Sequence, residues 1–162
     1  MRKLLCLWAG TVILASCNRD LVYSRYQATG GDHWGKSDSL KFEFSAPDTL
    51  NHYHLFINVR NDDHFPFSNL FLIASLNFPD GRVIKDTLEY EMALPDGTWM
   101  GKGSGSVKEN KLWYKENIIF PLNGVYTLDL VQAMRKNGSV EGIQDLPGIT
   151  DVGLEIEHAK SK

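Results

Sequence analysis

Asn69-Leu70-Phe71-Leu72-Ile73-Ala74-Ser75-Leu76-Asn77-Phe78-Pro79-Asp80-Gly81-Arg82-Val83-Ile84 is the stretch whose reading decides the fold. Its first part is apolar and long enough for a helix to be considered. Pro79-Asp80-Gly81 argues for a hairpin instead. Proline presets the φ of a turn, glycine supplies positive φ, and such a turn between two β-rich runs joins antiparallel strands. The second run opens at Val83 and Ile84 and continues to Tyr90. Pro95-Asp96-Gly97 repeats the turn chemistry 16 residues later, without wider self-similarity.

Upstream, Leu40, Phe42 and Phe44 alternate with Lys41 and Glu43, the period-two pattern of a half-buried strand. Tyr53, Leu55, Ile57 and Val59 alternate with His54, Phe56, Asn58 and Arg60. Phe56 breaks the polar face and is expected to meet a neighbouring loop. Pro66 excludes a ladder between these strands and the next. Downstream, Gly101, Gly103 and Gly105 mark a long loop. Residues 108–120 fit a strand or one helical face, and the β-rich surroundings favour strand. Residues 125–134 alternate again, residues 136–149 form a glycine-bearing loop, and Val152, Leu154 and Ile156 close the pattern. About seven strands with Gly, Pro, Asn and Asp turns predict an all-β, antiparallel, jelly-roll-like sandwich. Its expected extent is residues 40–158, followed by a loose tail at 159–162.

The other end of the chain reads as an address. Arg2 and Lys3 precede an apolar run at residues 4–15, whose last residue Ala15 leads into Ser16-Cys17. A positive start, a short apolar middle and a small-residue exit make a secretory signal over residues 1–16. The run is too short for a spanning helix, which needs about 20 residues. Leu14-Ala15-Ser16-Cys17 resembles the lipobox of bacterial lipoproteins. That resemblance implies a diacylglyceryl thioether on Cys17, cleavage before it, and acyl chains of the palmitate class. Two or three chains anchor firmly where one does not. Residues 17–39 then read as a lipidated tether and lead-in, with Gly30-Gly31 as a joint. About twenty extended residues reach ~70 Å. Trp34, just after the joint, is expected to cap the core edge.

The chain has 162 residues, with 17 Lys and Arg against 20 Asp and Glu. Loss of Arg2 and Lys3 makes the balance more acidic, which argues against a nucleic-acid partner and against electrostatic attraction to anionic lipid. Cys6 leaves with the signal, so Cys17 is the only cysteine of the mature chain. No disulfide or thiolate metal site is expected.

Chemistry-bearing constellations are few. Asp62, Asp63 and His64 offer oxygen and nitrogen ligands, but lack the spaced acids and glycine of a calcium loop. His33, His52, His54, His64 and His158 have no zinc spacing. Gly103-Ser104-Gly105 lacks the nucleophile-elbow frame, and Glu89 and Glu91 read as exposed strand carboxylates. No catalytic residue, metal or cofactor is expected. Trp34, Trp99 and Trp113 raise carbohydrate stacking, but aromatics are equally the filling of a sandwich core.

Several pieces, taken in order, resemble the gliding-motility lipoprotein GldH family of Bacteroidota. They are Leu55-Phe56-Ile57-Asn58-Val59-Arg60-Asn61, Phe65-Pro66-Phe67-Ser68-Asn69-Leu70-Phe71-Leu72-Ile73, Asp86-Thr87-Leu88-Glu89-Tyr90, Ala93-Leu94-Pro95-Asp96-Gly97, Gly101-Lys102-Gly103 and Gly148-Ile149-Thr150-Asp151-Val152-Gly153-Leu154. The resemblance implies a lipid-anchored cell-envelope protein that supports gliding motility and type IX secretion through protein contacts. It supplies no catalytic residues. Loops on rigid sandwiches commonly carry binding, so Phe65, Phe67, Asn69 and Trp99 are the candidate partner-binding residues. A glycan-binding module is the alternative and expects exposed, roughly coplanar tryptophans. Asn18 after Cys17 favours the outer membrane. Asn18-Arg19-Asp20 carries a single acid, which favours the periplasmic face over surface export.

Overall fold

The computed structural model describes residues 20–31 and 33–160, which form strands and no helix. The strands are β1 (Leu21–Ala28), β2 (His33–Gly35), β3 (Leu40–Ser45), β4 (Tyr53–Asn61), β5 (Asn69–Asn77), β6 (Val83–Glu91), β7 (Lys108–Ile118), β8 (Val125–Gln132), β9 (Asp145–Pro147) and β10 (Ile149–His158). The stretch at residues 69–84 is indeed a hairpin: β5 and β6 pair without interruption from Asn69 opposite Glu91 to Asn77 opposite Val83. Gly81 takes a φ of 85° and its N–H donates to the Phe78 carbonyl at 3.0 Å. A helix is excluded because alternate side chains find alternate environments, with Leu70, Leu72, Ala74 and Leu76 buried and their neighbours half exposed.

Two four-stranded sheets, β1-β10-β4-β7 and β3-β8-β5-β6, face each other, and β2 and β9 form a small third ladder. All pairings are antiparallel. With the two short strands set aside, pairing runs inward from the chain ends: β1 with β10, β3 with β8, β4 with β7, and β5 with β6. A long antiparallel ribbon rolled up in this way is a jelly roll. The core lies between the sheets. Leu55, Ile57, Val59, Val152, Leu154 and Ile156 come from one face, and Phe42, Leu70, Leu72, Tyr126, Leu128 and Leu130 from the other. Each fully buried side chain of this size contributes roughly 1.5–3 kcal/mol of transfer free energy.

Antiparallel pairing also decides which loops share an end. Leu21, residues 46–52, 78–82 and 119–124, and Ala159 lie at what we call the near end. The connections 29–39, 62–68, 92–107 and 133–148 lie at the far end. Aromatic rings close the near end of the core. Phe120 sits 5.6 Å from Phe44, 5.6 Å from Tyr53 and 5.1 Å from Tyr126.

Three expectations change. The segment read as tether and lead-in contributes β1 and β2, so the folded unit includes residues from Leu21 on, well before residue 40. The reason is pairing: β10 would otherwise present an open edge, and β1 covers it from Leu21 opposite Glu157 to Ala28 opposite Asp151. The reach of ~70 Å falls with it, because only residues 18–20 separate Cys17 from β1 and span at most ~14 Å. The tail is held at its start: the Ala159 N–H donates to the His52 carbonyl at 2.9 Å and Lys160 pairs with Asp20 at 3.0 Å. Phe56 meets a neighbouring strand, not a loop. Trp113 of β7 lies 4.4 Å away ring to ring, and the Lys111 ammonium sits 4.2 Å over its face.

Candidate interaction surface

The far end is built, not merely looped. Residues 62–68 turn on Asp62, whose carboxylate accepts the His64 N–H at 2.9 Å and lies 3.2 Å from the His64 ring Nδ1. The Asp62 N–H donates to the Gly148 carbonyl at 2.9 Å. Gly148 must be glycine here. Its φ is 77°, and a Cβ would stand 2.0 Å from the Phe65 nitrogen. Ser68 ties this loop to the next, its carbonyl accepting from the Met92 N–H at 2.7 Å and the Ala93 N–H at 3.1 Å. Pro95-Asp96-Gly97 folds residues 93–99 into a small hairpin, with the Leu94 N–H on the Thr98 carbonyl at 2.8 Å. Gln132 braces the fourth connection, donating to the Ile143 carbonyl at 2.8 Å and accepting from the Met134 N–H at 2.9 Å.

This assembly brings the predicted contact residues together but gives them different roles. Phe65 is 2 % exposed and belongs to the core, 5.8 Å from Phe67 and 6.1 Å from Trp99. The reading of Phe65 as a contact residue is therefore corrected: its ring plugs the far end of the sandwich. Phe67 and Trp99 are half-buried, with the Trp99 indole N–H directed at Asp63 at 3.4 Å. Asn69 starts β5 and donates to Glu89 at 3.0 Å. The large apolar side chains that do face solvent at this end are Leu94, Met100, Val107 and Val140. A cleft of about 510 Å³ lies between the loops at residues 62–68 and 133–148, lined by Pro66, Phe67, Lys136, Glu141 and Ile143.

The remaining constellations resolve into local structure. Asp62 and His64 meet in their turn, whereas Asp63 faces Trp99. His54 accepts the Asn117 N–H at 3.1 Å and packs edge-on against Trp113. No three His, Cys, Asp or Glu side chains converge among the described residues. Trp34, expected to cap the core edge, is fully buried within the core, its N–H on the Asp38 carbonyl at 2.9 Å. Of the three described tryptophans only Trp113 is well exposed, so no pair of exposed indoles forms a stacking platform.

Sequence reading missed the outer face of the β1-β10-β4-β7 sheet. There the Arg60 guanidinium lies 4.4 Å over the Tyr26 ring and 3.0 Å from Glu109, and the Tyr26 hydroxyl donates to Glu109 at 2.8 Å. Burial pushes the Tyr26 hydroxyl up to about 12, and its bond to Glu109 adds to this. Burial would raise the Glu109 carboxyl, but the bonds from Tyr26 and Arg60 outweigh it and hold the group below its ordinary value. Lys111 bridges Glu155 and Glu157 on the same face. The signal was the polar row of β4, but its partners lie in strands far off in sequence.

Long, mutually bonded connections gathered at one end of an eight-strand jelly roll define an antiparallel β-sandwich with a built loop surface at that end. The chain matches the GldH lipoprotein family over residues 21–156, from the start of β1 almost to the end of β10, and it belongs to that family. It is 50% identical over 146 residues to the gliding motility lipoprotein GldH homolog of Christiangramia forsetii, covering 90% of this chain and 89% of that protein. It is 42% identical over 151 residues to the gliding motility lipoprotein GldH of Flavobacterium johnsoniae, covering 93% of each. Solved structures are far more distant. The infectious bursal disease virus VP2 subviral particle is 15% identical with a TM-score of 0.34, over 83% of this chain and 30% of that one.

Proposed function

We propose that the chain is a lipid-anchored cell-envelope protein that supports gliding motility and the associated type IX secretion machinery by protein contact, without catalysis. Cys17 carries the lipid, the outer membrane holds it, and the domain faces the periplasm. Membership of a lipoprotein family with gliding-motility relatives supports the setting. One observation carries the contact reading: the three longest connections, residues 29–39, 92–107 and 133–148, all lie at the far end, away from the end where the chain arrives from Cys17. A partner engaging those loops would meet the domain on its side away from the lipid.

The test is photocrosslinking in cells. A photoreactive residue at Met100 or Val140 should capture envelope proteins of the motility or secretion apparatus. The same probe at Lys85, exposed on the outer row of β6, should capture little. Equal capture from Lys85, or none from the far-end positions, would overturn this assignment. Cys17→Ala should leave the sandwich folded and remove the protein from the membrane fraction.

A further inference from the structure

The near end carries an apolar rim. Leu21, Leu50, Val83, Ile84, Ile119 and Val125 are all exposed there, more than half of the large apolar side chains exposed among the described residues. Leu50 at the tip of its loop is 82 % exposed. The rim is one surface because its loops are bonded together. The Asp20 carbonyl accepts the His158 N–H at 2.8 Å, the His52 carbonyl accepts the Ala159 N–H at 2.9 Å, and the Gly124 carbonyl accepts the Ala46 N–H at 3.1 Å. Gly124 lies against Pro79, where a Cβ would stand only 3.0 Å away. A groove of about 320 Å³, lined by Phe78, Ile84, Ile119 and Phe120 among others, opens beside the rim.

The charges among these residues have partners within the protein. Asp20 pairs with Lys160 at 3.0 Å and Asp80 with Arg82 at 2.6 Å. Asp48 accepts the N–H groups of Leu50 at 2.8 Å and Asn51 at 2.7 Å, and also the Tyr53 hydroxyl. The end surface is thus apolar, with Asp20 and Asp80 ion-paired and the Asp48 carboxylate held by hydrogen bonds, a composition suited to the interfacial layer of a bilayer. Exposed apolar side chains gathered at one end of a domain mark a protein or membrane contact.

The chain itself selects between the two. Cys17 precedes Leu21 by four residues, so it lies within ~14 Å of the rim whatever path it takes. We infer that the near-end rim rests in the headgroup layer of the anchoring membrane, with Leu50 and Ile119 inserted, so that the sandwich stands on this end with its far-end loops directed away from the lipid. The inference rests on the reading of Cys17 as the lipid attachment point. Acyl chains there would bring the rim to the surface, and apolar side chains reaching ~5–10 Å into the headgroup region would then fix an orientation that a lipid anchor alone does not set.

The experiment uses the acylated protein purified from membranes. Leu50→Cys, Ile119→Cys and, as a far-end control, Val140→Cys each add one free thiol, because Cys17 is taken up by the lipid. All three positions are exposed, so the changes spare the core. Each thiol carries an environment-sensitive fluorophore, and the protein is placed in phosphatidylethanolamine–phosphatidylglycerol vesicles with or without brominated acyl chains. Labels at 50 and 119 should shift to the blue and lose most of their emission to the bromine, whereas the label at 140 should do neither. Protein that floats with the vesicles while labels 50 and 119 stay unquenched overturns the docking and leaves the anchor standing. Protein that does not float and has an unmodified Cys17 mass overturns the anchor, and the docking with it.

Discussion

At the residue scale, Phe65 and Trp113 exchange the roles their types suggest. Phe65 sits in a loop beside Pro66, yet it is 2 % exposed, whereas Trp113 in the middle of β7 is 53 % exposed. Phe65→Ala should cost roughly 3–5 kcal/mol, the range for deleting a buried phenyl ring. Trp113→Ala should cost only about 1 kcal/mol, chiefly its stacking on Phe56. Urea denaturation of the chain from residue 17, with Cys17→Ser, would read both, and equal costs would contradict the burial argument. The tyrosines give a second reading. Burial, with help from Glu109, Asp48 and Asp86 respectively, pushes Tyr26, Tyr53 and Tyr90 up to about 12 from an ordinary value of 10. A group raised in this way stabilises the folded state fully below its unfolded value and loses that contribution as pH climbs through the folded one. Absorbance at 295 nm should therefore show these three ionising well above pH 10 in the folded chain, with stability falling between about pH 10 and 12. Guanidinium should return them to an ordinary titration.

At the scale of elements, legibility followed the strength of the pattern. β3 alternates strictly in residue type because one face is buried and the other wet, and it was readable from residue types alone, whereas β5 alternates in burial but is apolar on both rows. Turn chemistry settled the β5–β6 hairpin against a helix. β1 was not readable. As an edge strand with a register shift near Leu21, it reads exposed, intermediate, intermediate, exposed and never alternates. β2 and β9 are three residues each, too short for any period, and exist because Trp34 and Leu146 are buried opposite one another. The far-end surface was half legible. The loops that form it were found, but burial inside them depends on Gly148 letting one backbone cross another, which no local pattern reports. The boundary is testable. A chain starting at residue 20 should unfold cooperatively with dispersed amide NMR signals. One starting at residue 40 lacks β1, β2 and the buried Trp34, so it should aggregate or lose dispersion, with the unpaired edge of β10 exposed. A stable, dispersed 40–162 chain would show that β1 and β2 are accessories.

At the scale of the whole molecule, a lipid on Cys17 would combine a short link with a long sandwich and so set a fixed height. Strands of nine residues rise ~30 Å between the ends, and at most ~14 Å of chain separates Cys17 from the near end. The far-end loops would then be offered at a defined distance from the membrane, and two devices would hold that distance: the tether and the apolar rim. Because either could suffice alone, the informative variant removes both. A 20-residue Gly/Ser insert between Cys17 and Asp20 adds ~25 Å of root-mean-square reach. Alone, it should leave crosslinking from Met100 nearly unchanged, because the rim still seats the domain. Combined with Leu50→Asp and Ile119→Asp, both at exposed positions, it should keep the lipid and the fold. Capture from Met100 should nevertheless drop severalfold, since the loops would sample a volume instead of a plane. If the combined variant crosslinks and supports motility as well as the parent, the height of the loops above the membrane is immaterial and the partner reaches the domain in solution-like fashion.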